Sequence, residues 1–466
     1  MRPARSSALF TLAVAAVLAA GSVAAQTAAP APATPAAPAV PTAPAAPAAP
    51  AAPAAPSILS PAPSAATPGG LALPPSSATP EAAPGAATQQ ATKPKPKPKP
   101  KPAPAPPREM AISDDPTPTF QPETFFTTAK ASERYARIVD AGGWPTIPGA
   151  LKPGSKGKGV SALRRRLAAE GDLEGGAGDG ESWDEGLTAA VKKFQFRLGL
   201  RQTGVAAGAT LKALNIPAAV RFRQLASSAQ RIAGSSFPFG DRYVVVNIAA
   251  AAAEAVDNNR VTRRYTVVVG DVDHRSPEVS TRIQAINLNP TWTVPTSIIK
   301  NEIIPKMRKD PGYLSRNRIR ILDGRGNEVN AGAVDWSSER AVNYTLRQDS
   351  GTGNSLGLIR INMPNKHAVY MHDTPSKRHF GSDYRFLSHG CVRVQGVYDL
   401  AEWILQGTPG GWDKTKIQST IAGGERVEVK VARNTPVIWV YLTGWASADG
   451  MVHFRDDVYN VDTVGG

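Results

Sequence analysis

Apolar side chains recur at helical spacing after Gly159. Val160, Leu163 and Leu167 share one face, with Arg164 to Arg166 partly on the other. Leu187, Val191, Phe194 and Leu198 mark a second helix, and Leu211 with Leu214 a short third one closed by Pro217. The glycine-rich stretch Gly175 to Gly180 separates the first helix from the second. Together they predict a small three-helix domain over residues 150–217, expected to fold alone because it carries its own apolar faces. Upstream, the mixed stretch Thr119 to Gly143 has room for one helix, around Lys130 to Asp140.

The pattern changes after Phe237. Tyr243 to Ile248 and Tyr265 to Val269 are rich in β-branched residues and are expected to pair as strands. Arg282 to Leu288, Leu358 to Ile361, Ala368 to Met371 and Val392 to Val394 add short strands. The insert Asn301 to Arg318, with Ile303, Ile304, Met307 and Tyr313, reads as helical and then loop-like, and Leu400 to Leu405 as a helix. These elements predict a mainly β domain with helical insertions over 242–410. Two further strand candidates between Val437 and Tyr459 place 411–466 with the same region.

Composition adds an address. Arg2 and Arg5 precede an apolar stretch, Ala8 to Ala20, too short to span a bilayer, and Ser22-Val23-Ala24-Ala25 offers a cleavage site. Residues 1–25 are therefore expected to be an export signal and the mature protein periplasmic, with no integral membrane segment. Residues 26–108 are nearly all Ala and Pro and end in the alternation Lys93 to Pro102, which predicts a disordered linker of polyproline character. Five lysines of that alternation contribute to the net charge of +15. They lack interleaved aromatics, so an anionic wall polymer or surface suits them better than nucleic acid, and a merely solubilising linker suits them as well.

The chain has one cysteine, Cys391, in Ser388-His389-Gly390-Cys391-Val392-Arg393. A lone exported cysteine cannot form a disulfide within its chain. Its neighbours favour a thiolate and let backbone amides come close, so Cys391 is read as a nucleophile. His367, His372, His379 and His389 lie shortly before it. A histidine can take the thiol proton and return it to a leaving amine. Gly390 lets backbone N–H groups approach a developing oxyanion. Arg393 suits a substrate carboxylate or a structural ion pair equally. These His and Cys spacings match no usual zinc pattern, so neither metal nor cofactor is called for.

Two resemblances follow. Gly159-Val160, Leu163, Leu167, Thr188 to Val191, Phe194-Gln195, Gly199-Leu200, Gly204 and Thr210 resemble the peptidoglycan-binding domain family, with a larger loop at Gly175 to Glu181. Tyr370 to Pro375, followed by Ser388 to Val394, resembles the catalytic signature of L,D-transpeptidases with a YkuD-type domain, a β-sandwich. Asn289 to Pro295, Asn354 to Gly357 and the Ile303 to Tyr313 insert resemble its large periplasmic, YcbB-like members. The resemblance implies Cys391 as nucleophile and His372 as general base and acid, oriented by a backbone carbonyl rather than by Asp373. It implies that His389, Ser388 and Tyr370 line the site and that the amides of Gly390 and Cys391 are oxyanion donors. His367 and His379 are left as surface or packing residues. The implied chemistry is attack on a peptidoglycan stem peptide, with the thioester resolved by a second stem in a 3→3 cross-link. An outer-membrane protein as acceptor would tether envelope to wall, and water would make the enzyme a carboxypeptidase. A wall-binding scaffold with an inert catalytic fold is the non-enzymatic alternative.

Overall fold

The computed structural model describes residues 108–174 and 180–464. The expected signal, the linker up to residue 107 and most of the glycine-rich loop lie outside the described residues. No described helix is long and apolar enough to cross a membrane.

Among the described residues five helices come first: α1 (Thr124–Asp140), α2 (Lys158–Glu170), α3 (Glu185–Arg197), α4 (Gly208–Leu214) and α5 (Ala218–Ile232). α1 begins six residues before the expected stretch, and α5 follows Pro217, beyond the three helices that the spacing predicts. Pro217 closes one helix and its fixed φ of −60° opens the next. Val160, Leu163 and Leu167 are buried as the spacing predicted. Arg166 departs from it: its side chain is also fully buried, pairing with Glu170 at 2.6 Å and donating to the Leu214 carbonyl at 2.9 Å. Trp144 stacks over its guanidinium. Glu170 further binds Arg197 and accepts from Tyr135 Oη at 2.7 Å. Three-residue polar runs do not reveal which member finds such partners.

The strands are β1 (Arg242–Asn247), β2 (Ala252–Asp257), β3 (Arg260–Gly270), β4 (Val279–Leu288), β5 (Trp292–Thr293), β6 (Ile319–Leu322), β7 (Glu328–Val329), β8 (Thr345–Gln348), β9 (Ile359–Asn362), β10 (Met371–His372), β11 (Phe386–Ser388), β12 (Val392–Val394), β13 (Val427–Val440), β14 (Gly444–Ala446) and β15 (Val452–Phe454). The main sheet runs β11-β3-β12-β10-β9-β4-β13-β1-β2, and β2 pairs back onto β3, which closes a barrel-like ring. This is the mainly β catalytic core with helical insertions that the sequence predicts. The expected direct pairing of the Tyr243 and Tyr265 strands is not found. β2 lies between them, in antiparallel register with both. Its Ala-rich sequence lacks the β-branched run that marks a strand, although Ala253 and Ala255 are fully buried in the ring's core.

β1 is buried on both faces. Val244 and Val246 join the ring's interior with Val267, Val392 and Leu400, whereas Tyr243 and Val245 pack outward on Phe120, Phe237 and Ile232. The insertion between β5 and β6 contains Thr296–Ile298, a widened π-helical turn Ile299–Ile303, and the helices Ile304–Lys309 and Tyr313–Arg316. It packs on a small sheet ordered β5-β8-β6-β7 around its own core of Ile303, Met307, Leu314 and Leu346.

The C-terminal segment divides its packing. β13 sits centrally in the ring, parallel to β1 and antiparallel to β4. The β14–β15 hairpin instead completes the helical core, where Ala446, Val452 and Phe454 pack with Tyr135, Phe194 and Phe222. The helical core is therefore built mostly from residues 150–217 and is shared with α1, α5 and the hairpin. Its apolar faces exceed what three short helices can cover, and α1, α5 and the hairpin cover the remainder.

Candidate active site

β10 and β12 run parallel, with Met371 opposite Val392 and His372 opposite Arg393. Side chains alternate along each strand, so Met371, Val392 and Val394 enter the ring's core, where all three are fully buried. Tyr370, His372, Cys391 and Arg393 consequently share the other face and line one cleft of about 380 Å³. Ser388 and His389 line it too, and the insertion forms its opposite wall through Ile298, Glu302 and Lys306. Three noncontiguous pieces of sequence thus converge because the register of two short strands leaves them no other face.

His372 is buried, and its Nδ1 bonds the backbone carbonyl of Asp373. This contact fixes Nδ1 as the protonated nitrogen and leaves Nε2 with its lone pair. Burial, with Arg393 nearby, lowers the imidazole to about 3 against the opposing pull of the Asp373 and Leu356 carbonyls, so the ring is neutral at neutral pH. The Asp373 carboxylate turns away, accepting from the Leu358 amide at 3.1 Å and from Lys377. Burial also raises the Cys391 thiol above its ordinary value, although the Tyr370 amide and hydroxyl, Arg360 and Arg393 all favour its anion. The resting pair is therefore a neutral thiol and a neutral imidazole. Burial, and the sulfur it faces, push the Tyr370 phenol up as well. Its ring lies edge-on to His372 and beneath the Arg360 guanidinium.

The Ser388–Cys391 turn is bonded internally. Ser388 Oγ donates to the Cys391 carbonyl at 2.5 Å and accepts from the Gly390 amide at 3.2 Å. Of the two amides expected as oxyanion donors, that of Gly390 is thus already engaged with Ser388, in a turn where Gly390 takes a φ of +102° that favours glycine. The Cys391 amide has no hydrogen-bond partner among the described residues. His389 faces the insertion, with Nε2 at 2.7 Å from Glu302 Oε1 and its ring 4.6 Å from that of His274. His367 is exposed, as expected. His379 is half-buried and packs on Arg393, its Nδ1 3.5 Å from Arg393 Nη1.

Sequence reasoning missed Glu302, His274 and Arg360. Each reaches the site from a different element, and no motif spacing links them to Cys391. Among the described residues no cluster of three or more His, Cys, Asp or Glu side chains is arranged to hold a metal.

Comparison with known proteins adds a class. Residues 241–417 match the family model described as the L,D-transpeptidase catalytic domain, and residues 156–214 match that of a "Putative peptidoglycan binding domain". A Haemophilus influenzae protein named "Putative L,D-transpeptidase" is 31% identical over 241 residues, which cover 52% of this chain and 48% of that protein. The chain thus spans about half the length of this curated relative. Among solved structures, an L,D-transpeptidase from Stackebrandtia nassauensis is 16% identical, covering 63% of this chain and 96% of that one, with a TM-score of 0.22. The L,D-transpeptidase of Xylanimonas cellulosilytica (residues 123-326) is 15% identical, covering 63% and 99%, with a TM-score of 0.19. The chain carries a YkuD-type L,D-transpeptidase catalytic domain with an adjacent peptidoglycan-binding domain.

Proposed function

We propose that the protein is a peptidoglycan L,D-transpeptidase of the large periplasmic, YcbB-like kind, forming 3→3 cross-links through a Cys391 thioester. The observation that carries this reading is the placement of Cys391 and His372 on one face of adjacent strands, with Nδ1 of His372 anchored to the Asp373 carbonyl. Nε2 is the nitrogen left to accept the thiol proton. Since both groups are neutral at rest, the proton moves to Nε2 as Sγ attacks the carbonyl of the donor's third residue, with no standing thiolate required. The Cys391 amide is the donor aimed at the developing oxyanion. His372 then returns the proton to the departing D-alanine amine, which leaves a thioester on Cys391. An amine from a second stem resolves it. Arg393, half-buried at the cleft, serves the donor's carboxylate. The helical domain holds the enzyme on the wall, a role supported by its match to peptidoglycan-binding domains.

The test is intact-mass analysis of the protein with a tetrapeptide stem, alongside D-alanine release. The wild type should gain one acyl adduct, and Cys391→Ala none. Release by the alanine variant at the wild-type rate would remove the assignment. Muropeptide analysis of sacculi with each protein then identifies the acceptor as a stem, an outer-membrane protein or water.

A further inference from the structure

Glu302 is the one carboxylate among the described residues lining the cleft, which otherwise presents the cations Lys306 and Arg393. Its Oε1 meets His389 Nε2 at 2.7 Å, and its Oε2 accepts from Lys306 Nζ at 2.7 Å. Its side chain remains 32% exposed. A carboxylate offers about four lone-pair positions, so two partners leave room for a third. Burial alone would raise this carboxyl, but Lys306, and then His389 and His274, hold it below the ordinary range, so it is charged at neutral pH. The insertion thus presents a fixed, partly open anion next to His389, two residues before Cys391.

The second substrate of a transpeptidase is an ammonium at neutral pH. It must come close to a buried thioester in a cleft whose other charged groups repel it. We propose that Glu302 is the residue that recognises this acceptor ammonium, with His389 aligning the carboxylate toward the thioester. The proposal rests on the transpeptidase reading above and adds a residue that separates amine acceptors from water. The carboxylate draws the ammonium in beside the acyl group, where one proton passes to solvent; the freed amine then attacks, and neutral His372 takes a second proton and delivers it to sulfur. The amide C–N bond forms and the C–S bond breaks. Of the three ammonium protons, one stays on the amide, one returns to sulfur as the Cys391 thiol, and one passes to solvent.

The test uses the full chain, first acylated with a donor tetrapeptide stem. Resolution of the acyl-enzyme is then timed with two nucleophiles near neutral pH: an acceptor stem, whose amine is protonated, and hydroxylamine, which is largely neutral. Glu302→Gln should slow resolution by the stem about tenfold or more and affect hydroxylamine far less, because only the stem brings a charge to be paired. Glu302→Asp, which keeps the charge, should recover part of the loss. Equal slowing with both nucleophiles would reduce Glu302 to a prop for the insertion and overturn the proposal, as would no slowing with either. Failure of the wild type to form any acyl-enzyme would instead bring down the transpeptidase reading itself.

Discussion

Ser276 holds Gly390 from behind, its hydroxyl donating to the Gly390 carbonyl at 2.8 Å. The same oxygen accepts from the Gly270 amide at 2.9 Å. The Ser276 amide donates to Tyr459 Oη at 3.1 Å, and that hydroxyl donates to the Gly270 carbonyl at 2.7 Å. A residue near the C-terminus therefore braces the turn that carries Cys391. Removing the Ser276 hydroxyl leaves a buried carbonyl and amide without partners, a cost of about 1–3 kcal/mol. Ser276→Ala should accordingly lower the melting temperature and also slow D-alanine release in the protein that remains folded, because the turn loses its anchor. Melting curves and release rates measured together decide this. Full specific activity at reduced stability would show that the brace does not position the nucleophile.

The thiol itself should react slowly at rest. Burial raises Cys391 above its ordinary value of 9.0, so little thiolate exists at neutral pH, and alkylation by iodoacetamide should climb steeply only in alkaline solution. Tyr370→Phe removes a hydroxyl that favours the anion and should move the midpoint still higher. A pH series of alkylation rates, read by mass, is the check. Fast alkylation at neutral pH would contradict the neutral resting pair.

Much of the site could be read from sequence because it sits in two short contiguous motifs. Tyr370 to Asp373 and Ser388 to Arg393 each place several groups on one strand or turn, where local spacing carries the information. The groups that surround them could not be read so easily. Glu302 and Ser276 meet the Ser388–Cys391 turn, and Tyr459 meets Ser276, only through the closure of the ring and the fold of the insertion. β2 escaped notice for a related reason. Its alanines lack the β-branched side chains that mark a strand, and only its pairing with β1 and β3 reveals it. Charge alone points Arg166 toward the surface, whereas Glu170 and Trp144 pair it inside.

Acid should weaken the fold through His453. The residue is buried against Trp445, with ring centroids 5.0 Å apart, and burial with Arg455 and Arg197 nearby lowers it from 6.5 to about 3. Its folded value lies below the unfolded one, so the unfolded chain binds the proton more readily. The contribution to stability is complete above about pH 6.5 and is lost as pH falls toward 3, reaching a loss of roughly 2 kcal/mol by pH 5. His453→Gln should flatten the fall in melting temperature between pH 7 and pH 5 relative to wild type. Part of the slope should remain, since buried His372 titrates with the same sign over the same window. An unchanged slope in the variant would mean that other groups dominate the acid response.

The helical domain should not fold when cut to residues 150–217. Phe454 of the hairpin is 1% exposed, meets Tyr135 edge-on at 5.4 Å between ring centroids, and lies beneath the Arg221 guanidinium. Arg197 Nη1 donates to the Val452 carbonyl at 3.1 Å, which ties α3 to the same hairpin. The excised segment would keep Arg166, Glu170 and Arg197 but lose Tyr135, Arg221 and the hairpin around them, leaving a charged network facing water where its core had been. Phe454→Ala in the full chain should cost about 3–5 kcal/mol, the range for a large buried aromatic side chain. The isolated 150–217 segment should give poorly dispersed amide resonances and no cooperative melt, whereas residues 108–464 give both. Co-sedimentation with sacculi is then a fair test of wall binding only for the longer piece. A well-dispersed spectrum from the short segment would show that the hairpin and α1 merely cover a core already complete.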